Sequence, residues 1–415
     1  MLTTSEVARR LGVKPATVYA YVSRGLLSSE RNADGKASLF TEAEVEAFAA
    51  GRRGTARSGF TPAIHTGLTL IKNGGLYYRG HDACALARDR SYESVATLLW
   101  TGEPRHVPLE SPAGLRELGE AVTAPLPAAA RLTDRLRVIC AAAAAADPLR
   151  FDTAPEAVIS TGRTLVATMV AALPMRAEPT RLDGGGPPGE TVRADHGRGR
   201  FDMDPRFPFA GVLWPRLSAA APEPADLAAL NAALVLLADH DIAASTLAAR
   251  VAASTRAHPY AVVGAGLAAL DGPLHGAASG LAYTLLSDAV RSGDPVHAIS
   301  DRLRVDGVIP GFGHPLYPDG DPRAGTLLGL LGDDPVRATI DAVAEAVTRR
   351  SGVAPNIDFA IAAFALLNGM GPDAGETIFA VARTAGWIAH ALEEYGDRPA
   401  RFRPSGRYAG RSPAA

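Results

Sequence analysis

The strongest constraint on the fold of this chain is a helical pattern that fills most of the sequence after residue 57. Alanine and leucine dominate this part, and residues 136–140 run directly into six consecutive alanines at 141–146. Alanine is the strongest helix former, so the pattern favours helices over strands. Strand-like alternation is scarce, apart from one small hairpin predicted near residues 64–78. Residues 177–208 are rich in Gly, Pro, Asp and Arg and predict one long loop or a partly disordered insertion between helices.

Residues 1–57 have a different pattern and predict a separate unit. Capping-box patterns that begin at Thr3 and Thr41 open a first and a third helix, and Pro15 suits the first turn of a second. A turn at residues 32–35 predicts a wing hairpin between the second and third helices. Helix, tight turn, helix, wing and helix is the order of a winged helix-turn-helix domain.

Basic residues are concentrated in this N-terminal unit. It carries nine Lys or Arg against six Asp or Glu, while the whole chain has a formal net charge of −2. The stretch LTTSEVARRLGVKPATVYAYVSRGLLSS resembles the DNA-binding domain of the MerR and excisionase families. That resemblance implies DNA as a partner, contacted by Lys14, Thr17, Tyr21 and Arg24. A degenerate helix-turn-helix kept as a docking module is the alternative.

Composition excludes several other classes of protein. The chain has 42 Lys and Arg against 44 Asp and Glu, which argues against wholesale binding to nucleic acid or membrane. Cys84 and Cys140 lie in apolar helical contexts and form neither a disulfide framework nor a metal-ligand spacing. No apolar run is long enough to span a membrane, and no secretory signal opens the chain. We therefore expect a soluble, cytoplasmic protein without a metal site.

Residues 311–323 are the first candidate for chemistry. They combine His314, in a glycine-flanked turn, with Arg323 nine residues later. A histidine can donate a hydrogen bond to a carbonyl, and an arginine can bind a carboxylate with its planar guanidinium. The pair suits a small oxo-acid whose ketone is to be polarised. Alone, the stretch is more typical of a surface turn rich in Gly and Pro. Residues 264–267, by contrast, lie in a helical run and predict a helix contact rather than a phosphate-binding loop.

Five further segments combine polar residues with turns or helix caps. They are residues 74–80, 239–250, 272–278 and 355–359, and the C-terminal pair Arg383 and Arg403. Taken together and in this order, the segments resemble the citrate synthase family over nearly the whole chain after residue 57. Several motifs in a fixed order carry this resemblance, since any one of them alone is common in unrelated proteins.

The resemblance implies a role for each of four residues. Asp358 corresponds to the base that removes a proton from the methyl group of acetyl-CoA. His275 corresponds to the donor at the thioester oxygen, and His314 to the donor that polarises the ketone of oxaloacetate. His240 is implied to bind the same substrate.

The resemblance also implies three carboxylate-binding arginines, Arg323, Arg383 and Arg403. In the family the last of these reaches the site of a neighbouring subunit, so a homodimer is implied here. The substrates are implied to be oxaloacetate and an acyl-CoA, with the adenine nucleotide near residues 308–313. Acyl-CoA acts as a co-substrate, and no separate cofactor is implied.

The implied architecture is a two-domain helical fold that follows the winged helix-turn-helix domain of residues 1–57. The catalytic region would cover residues 58–415, with a large domain of residues 58–277 and 364–415 and a small domain of residues 278–363. Closure of the small domain would assemble the site and exclude water. This chain departs from the usual family pattern at Ala243 and Ser279, where the family often has Asn, and at residues 360–362.

The leading hypothesis is an enzyme that condenses acetyl-CoA with oxaloacetate to give citrate and CoA. An alternative is a 2-methylcitrate synthase that uses propionyl-CoA, because one methylene in a pocket changes preference by only about 10- to 200-fold. A second alternative is a transcriptional regulator whose citrate synthase-like body senses a metabolite. The complete set of catalytic residues favours the enzyme, and the N-terminal unit favours the regulator. The two functions can coexist.

Overall fold

The structure is a computed structural model that divides into two compact units, Met1–His65 and Thr66–Ala415. The described residues are 2–11, 13, 18, 30–31, 38–42, 45–46, 64–176, 206–272, 275–403 and 410.

The first unit contains a short helix beside a small antiparallel sheet. Helix α1 opens with the predicted capping box, because Thr3 N donates to Glu6 Oε2 at 2.7 Å and Glu6 N donates to Thr3 Oγ1 at 3.4 Å. The strands are ordered β1-β3-β2, with Leu2 opposite Phe40. The elements are β1 (Leu2–Thr3), α1 (Thr4–Leu11), β2 (Glu30–Arg31) and β3 (Ser38–Phe40).

A small core holds the first unit together, built from Val7, Ala8, Val18, Phe40 and Val45. The predicted wing turn and most of the predicted second helix lie outside the described residues. The same is true of the four predicted DNA-contacting residues, Lys14, Thr17, Tyr21 and Arg24.

The second unit begins with the predicted hairpin, which the structure confirms. Its strands pair in register from Thr69 opposite Tyr78 to the turn at residues 73–74, where Asn73 and Gly74 both have positive φ. Positive φ at both central residues is typical of a type I′ turn, whose twist matches that of the two flanking antiparallel strands. The strands are β4 (Thr69–Lys72), β5 (Gly75–Tyr78) and β6 (His81–Asp82), in the order β4-β5-β6.

Helices make up most of the rest of the described chain, so the prediction of a mainly α fold is confirmed. They are α2 (Ala83–Asp89), α3 (Tyr92–Thr101), α4 (Ala113–Thr123), α5 (Leu132–Ala146), α6 (Pro155–Ala171), α7 (Pro208–Leu217), α8 (Pro224–Leu237), α9 (Ala244–Ser254), α10 (Pro259–Leu270), α11 (Ala278–Ser292), α12 (Pro295–Asp306), α13 (Pro322–Leu328), α14 (Pro335–Ser351), α15 (Ile357–Leu367) and α16 (Ala374–Gly396). Helix α7 begins at the last residue of the predicted loop, and residues 177–205 of that loop lie outside the described residues.

The sequence marks the ends of the helices that carry the candidate site. Helix α12 starts at Pro295 under a cap from Asp294, whose carboxylate accepts from His297 N at 2.9 Å, and it ends at Gly307 with φ 69°. Helix α13 starts in the same way, with Asp321 as its cap. The segment between the two helices, residues 308–321, is therefore a loop with both ends fixed.

The described buried apolar residues of the second unit form two clusters. The larger one surrounds α16, which is buried along almost its whole length, and the smaller one draws on α11, α12, α14 and α15. Helix α15 lies between them. Phe359 and Ala362 belong to the smaller cluster, whereas Ile357, Ala360 and Ile361 belong to the larger. The helical period thus places opposite faces of α15 in different cores.

Two smaller predictions also have outcomes in the described residues. Both cysteines are free, with Cys140 buried and Cys84 partly buried. None of the described helices combines the length and the apolar character needed to cross a membrane.

One glycine of the pair in α10 makes a helix contact, as predicted for residues 264–267. At Gly266 an added Cβ would lie 2.5 Å from Cδ2 of Trp387 in α16, and Trp387 is fully buried. At Gly264, two residues earlier on the same helix, an added Cβ would meet nothing within 4 Å. Only Gly266 therefore allows the two helices to approach closely.

We predict that Gly266→Ala and Gly264→Ala change stability in opposite directions. The first overfills a packed contact and should lower the free energy of unfolding by about 1 to 3 kcal/mol. The second removes backbone freedom from an open helical position and should raise it by about 0.5 to 1 kcal/mol. Denaturant unfolding of the two variants beside wild type measures both effects. Equal destabilisation by the two substitutions would contradict the proposed contact.

Candidate functional site

The seven residues singled out in the sequence lie mostly at helix ends and in short turns. His240 follows α8, His275 lies between α10 and α11, and His314 lies in the loop between α12 and α13. The remaining four are Arg323 and Asp358 in the first turns of α13 and α15, Arg383 in the middle of α16, and Arg403 beyond the end of α16.

Two of the histidines meet beside a tyrosine. The rings of His240 and His314 have centroids 5.1 Å apart, and His240 Nε2 is 2.9 Å from the hydroxyl of Tyr317. His240 is buried, and its pKa is lowered well below the usual value, first by burial and then by the charges of Arg323 and Arg383. His240 is therefore a neutral imidazole placed near two cations.

His314 is held in a defined neutral form. Leu316 N donates a hydrogen bond to His314 Nδ1 at 3.2 Å, so Nδ1 accepts and the ring proton lies on Nε2. Burial and the charge of Arg323 lower the pKa of His314. The side chain can therefore donate one hydrogen bond from Nε2 without carrying a charge.

Arg323 is fixed by a buried carboxylate two residues before it. Nε and Nη2 donate to the two oxygens of Asp321 at 2.9 and 2.8 Å, and both side chains are buried. Burial disfavours the charged guanidinium, but Asp321 outweighs this effect and raises the pKa of Arg323. The guanidinium also lies over the ring of Tyr317, at 5.3 Å from the centroid. Its planar fork is thus oriented from two sides.

Asn356 fastens the start of α15 to the His314 loop. Its Oδ1 accepts from the backbone N–H of Asp358 at 3.0 Å, and its Nδ2 donates to Gly313 O at 2.9 Å. The backbone adds bonds from Asn356 N to Gly311 O and from Gly313 N to Ala354 O, both 2.9 Å. Gly311 and Gly313 have φ of 85° and 75°, a region that favours glycine. His314 and Asp358 are therefore positioned by one set of bonds.

Asp358 has the environment of a general base. Its side chain is partly buried, and burial raises its pKa to about 6, with the nearby Asp321 also raising it and Arg323 lowering it. A carboxylate with a pKa near the working pH is ionised yet basic enough to take a proton from carbon.

His275 is a second neutral histidine, with one ring nitrogen left for a ligand. Its Nε2 lies 2.8 Å from Ser245 Oγ, and its ring meets the edge of Phe379 at 5.5 Å between centroids. Burial and the charge of Arg383 lower its pKa to about 4. When the Ser245 hydroxyl donates to Nε2, the proton lies on Nδ1, which can then donate to a substrate.

Arg383 is a buried cation whose terminal nitrogens have no protein partner in the described part of the chain. Nε donates to Leu237 O at 2.8 Å, but Nη1 and Nη2 form no hydrogen bond, although the residue is 1% exposed. The guanidinium carbon lies 4.6 Å from the centroid of the Phe379 ring. Burial lowers the pKa of Arg383, and Asp239 opposes this shift. A buried unpaired cation is unfavourable, so the site favours an anion.

Contacts and electrostatic effects thus connect six of the seven residues. Arg403 is the exception: it is exposed and forms no hydrogen bond or ion pair with any residue that the structure describes. Two residues earlier, Arg401 is paired with Glu394 and Asp397.

Sequence reasoning missed three residues that arrange this site. They are Tyr317, Asp321 and Ser245. The Asp-Pro step at Asp321 and the Asn-x-Asp order at Asn356 are both signals of a helix N-cap, and they could have shown how Arg323 and Asp358 are oriented. A group of His, Cys, Asp or Glu side chains that could hold a metal ion is absent from the described residues.

Comparison with known protein families separates the same two parts of the chain. Residues 59–405 match the family described as citrate synthase, C-terminal domain, and residues 1–53 match a helix-turn-helix domain.

Individual relatives support the first match. Citrate synthase of Haloferax volcanii is 33% identical over 361 residues, which cover 81% of this chain and 90% of that protein. 2-Methylcitrate synthase 2 of Corynebacterium glutamicum is 30% identical over 370 residues, which cover 82% of this chain and 90% of that protein.

Solved structures share the fold. Citrate synthase of Thermoplasma acidophilum, in a ternary complex with carboxymethyl coenzyme A and oxaloacetate, has a TM-score of 0.63 at 21% identity. The enzyme of Thermotoga maritima has a TM-score of 0.62 at 22% identity, and each comparison covers 85% of this chain and 95% of the other. The predicted resemblance is confirmed, and this chain belongs to the citrate synthase family, with a helix-turn-helix domain at its N-terminus.

Proposed function

We propose that this protein condenses acetyl-CoA with oxaloacetate and water to give citrate and CoA. The observation that carries the proposal is the meeting of two buried arginines, two neutral histidine donors and a carboxylate base in one site. Two cations suit a dianionic oxo-acid, and the base and donors suit the formation of a carbon nucleophile beside a thioester.

Oxaloacetate would bind through its two carboxylates. The free Nη1 and Nη2 of Arg383 suit one carboxylate, and the guanidinium of Arg323, oriented by Asp321, suits the other. Nε2–H of His314 would donate to the ketone oxygen and make the carbonyl carbon more electrophilic. His240, packed against His314, would bind the same substrate.

Acetyl-CoA would be activated by His275 and Asp358. The Asp358 carboxylate takes a proton from the methyl carbon, while Nδ1–H of His275 donates to the thioester oxygen and stabilises the enol that forms. A neutral imidazole suits this role, because it supports the negative charge without quenching the reactivity of the enol. The methyl carbon then bonds to the ketone carbon of oxaloacetate, and hydrolysis of the thioester releases CoA.

The domain arrangement supports the order of these steps. We assign residues 58–277 and 364–415 to a large domain and residues 278–363 to a small one, after the N-terminal domain of residues 1–57. Asp358 lies on α15, which packs into both apolar clusters, and His314 is bonded to the same helix start. Rotation of the small domain over oxaloacetate would bring both side chains toward His275 and exclude water.

Arg403 would complete the site of a second subunit in a homodimer. In this chain it is exposed, whereas its neighbour Arg401 is held by Glu394. The segment is held in place at Arg401, so the exposed side chain of Arg403 is suited to contact a second subunit. The proposed chemistry uses acyl-CoA as co-substrate and requires no metal or separate cofactor.

Propionyl-CoA is the alternative acyl donor, since this chain has similar identity to a citrate synthase and to a 2-methylcitrate synthase. The catalytic groups serve both reactions equally. Discrimination rests on the shape of the acyl pocket, where one methylene is worth only about 10- to 200-fold.

We predict thiol release from acetyl-CoA or propionyl-CoA that depends on oxaloacetate and on Asp358. Asp358→Asn keeps the size of the side chain but removes the base, so kcat should fall by about 10²- to 10⁴-fold. Asp333→Asn, an equal change of charge at an exposed residue, is the matched control and should leave kcat unchanged. Absence of thiol release by wild type with both thioesters would refute the proposed reaction.

The same assay should show a loss of activity in acid. Asp358 has a pKa of about 6, and only its ionised form accepts a proton, so kcat/KM should fall as the pH drops through this value. Below it, the fall should be about tenfold per pH unit. His275, with a pKa of about 4, stays neutral over most of that range. A rate that stays constant between pH 7 and pH 5 would contradict the assignment of the base.

We also propose that the N-terminal domain binds DNA, so that the enzyme could additionally act as a metabolite-linked regulator. The match of residues 1–53 to a helix-turn-helix domain and the local excess of basic residues support this second function. The contacts would come from Lys14, Thr17, Tyr21 and Arg24. The complete set of catalytic side chains favours a body that remains an enzyme.

DNA binding should depend on salt and weaken when Lys14 and Arg24 are both changed to Ala. Each lost phosphate contact should reduce the slope of log affinity against log salt concentration by about 0.9. Lys72→Ala, which removes an exposed cation from the hairpin of the second unit, is the control and should bind as wild type does. Fluorescence anisotropy at several salt concentrations measures the slope. Absent or salt-independent binding by wild type would contradict DNA binding and favour the alternative, a degenerate helix-turn-helix that serves as a docking module.

A further inference from the structure

We propose that four buried residues, Asp239, His390, Arg250 and Glu394, form a charge network that positions the oxaloacetate-binding residues of this site. The inference rests on the proposed function, because it concerns how the same site binds its oxo-acid. None of the four would touch substrate, so they are positioning residues. All four side chains are almost fully buried.

One end of the network, Asp239, lies next to the residues of the site. Asp239 immediately precedes His240, and its carboxylate accepts from Thr69 Oγ1 at 2.5 Å. Its pKa is lowered: burial would raise it, but His390, Arg383 and Thr69 outweigh that effect. Asp239 is therefore an ionised carboxylate that supplies a counter-charge for Arg383, whose terminal nitrogens are free for a ligand.

His390 connects this carboxylate to a second cation. Arg250 Nη1 donates to His390 Nδ1 at 2.5 Å, so Nδ1 accepts and the ring proton lies on Nε2. Nε2 is 3.2 and 3.3 Å from the two oxygens of Asp239. Each ring nitrogen thus has one partner, and the ring can satisfy both only in this orientation.

The other end of the network lies at the start of the C-terminal segment. Arg250 Nε donates to Glu394 Oε1 at 2.5 Å, and Arg250 Nη1 donates to Glu393 Oε2 at 2.6 Å. Glu394 Oε2 in turn accepts from Arg401 Nε at 2.8 Å, two residues before Arg403. The network therefore links the residues that hold one site to the segment that carries Arg403.

Stability alone is a weak explanation for this arrangement. Buried ion pairs often add little net stability compared with well-packed apolar residues, whereas they define position and direction closely. Here Asp239, at one end of the network, precedes His240 and supplies a counter-charge to Arg383. Loss of the link at His390 should therefore affect oxaloacetate binding more than the acyl-CoA steps, because His275 and Asp358 are held by Ser245 and Asn356 instead.

The test compares three substitutions of His390. Leu removes both hydrogen bonds, Asn is too short to bridge Asp239 and Arg250, and Gln can donate to one and accept from the other. His390→Leu and His390→Asn should each weaken oxaloacetate binding about tenfold or more, the scale of a lost bond to a buried charge. His390→Gln should recover most of the affinity. Thr384→Val, a buried change on the same helix that removes only a bond to Ala380 O, is the matched control.

Two readouts separate positioning from general damage. Calorimetry with oxaloacetate alone gives its Kd, and steady-state kinetics give kcat and both KM values. We expect the KM for oxaloacetate to rise with the Kd, while kcat and the KM for acyl-CoA stay within about twofold of wild type. Asn, as a polar substitution, provides the measurement if the Leu variant fails to fold.

The outcomes distinguish this inference from the proposed reaction. Wild-type protein that binds oxaloacetate but releases no thiol would refute the reaction and leave the network testable by calorimetry. Leu and Asn variants that bind oxaloacetate as tightly as wild type would overturn the network. Equal impairment of both KM values and kcat would also overturn it. So would a Gln variant that binds oxaloacetate no more tightly than the Asn variant does.

Discussion

The buried ion pair between Asp321 and Arg323 is the interaction on which the site depends. The Asp321 carboxylate accepts from the backbone and side chain of Arg323, and also from Ile357 N at 3.0 Å. One side chain thus caps α13, orients the guanidinium of Arg323 and joins the start of α13 to the start of α15. Since removal of one partner of a buried pair leaves an uncompensated charge, the position of Asp358 and the charge of Arg323 depend on the same carboxylate.

Burial, reinforced by the charges of the two arginines, explains why the histidines of this site are neutral. Burial lowers the pKa of each ring, and Arg323 or Arg383 lowers it further, so that protonation would add a third cation to a confined space. The same neutrality makes His275 and His314 useful, because each retains one N–H in an orientation fixed by Ser245 or by Leu316 N. Burial and the two arginine charges therefore determine the protonation state of all three rings.

Local sequence signals predicted the helical body, the hairpin and the capping box, because each depends on residues that are close in the chain. The order of motifs predicted which residues would matter, and the structure brings six of the seven together. The partners of these residues were not predictable in the same way. Tyr317 reaches His240 across 77 positions, and Arg250 reaches His390 across 140, so only the packed fold creates those pairs. Arg403 is exposed and lies apart from the other six, and its proposed role in a second subunit stays a prediction.

Helix α16 explains how such distant partners become neighbours. Phe379, Arg383, Gly386, His390 and Glu394 follow one another at intervals of three or four residues, which is the spacing of a single helical face. Along that face the helix contacts His275, leaves two nitrogens of Arg383 free, donates from Gly386 N to Ala238 O beside Asp239, and ends at the ion pairs of Arg250. Because the helix is buried on nearly all sides, it holds these residues in fixed positions relative to one another. The positions of Arg383 and of the C-terminal segment are therefore set by one rigid helix rather than by flexible loops.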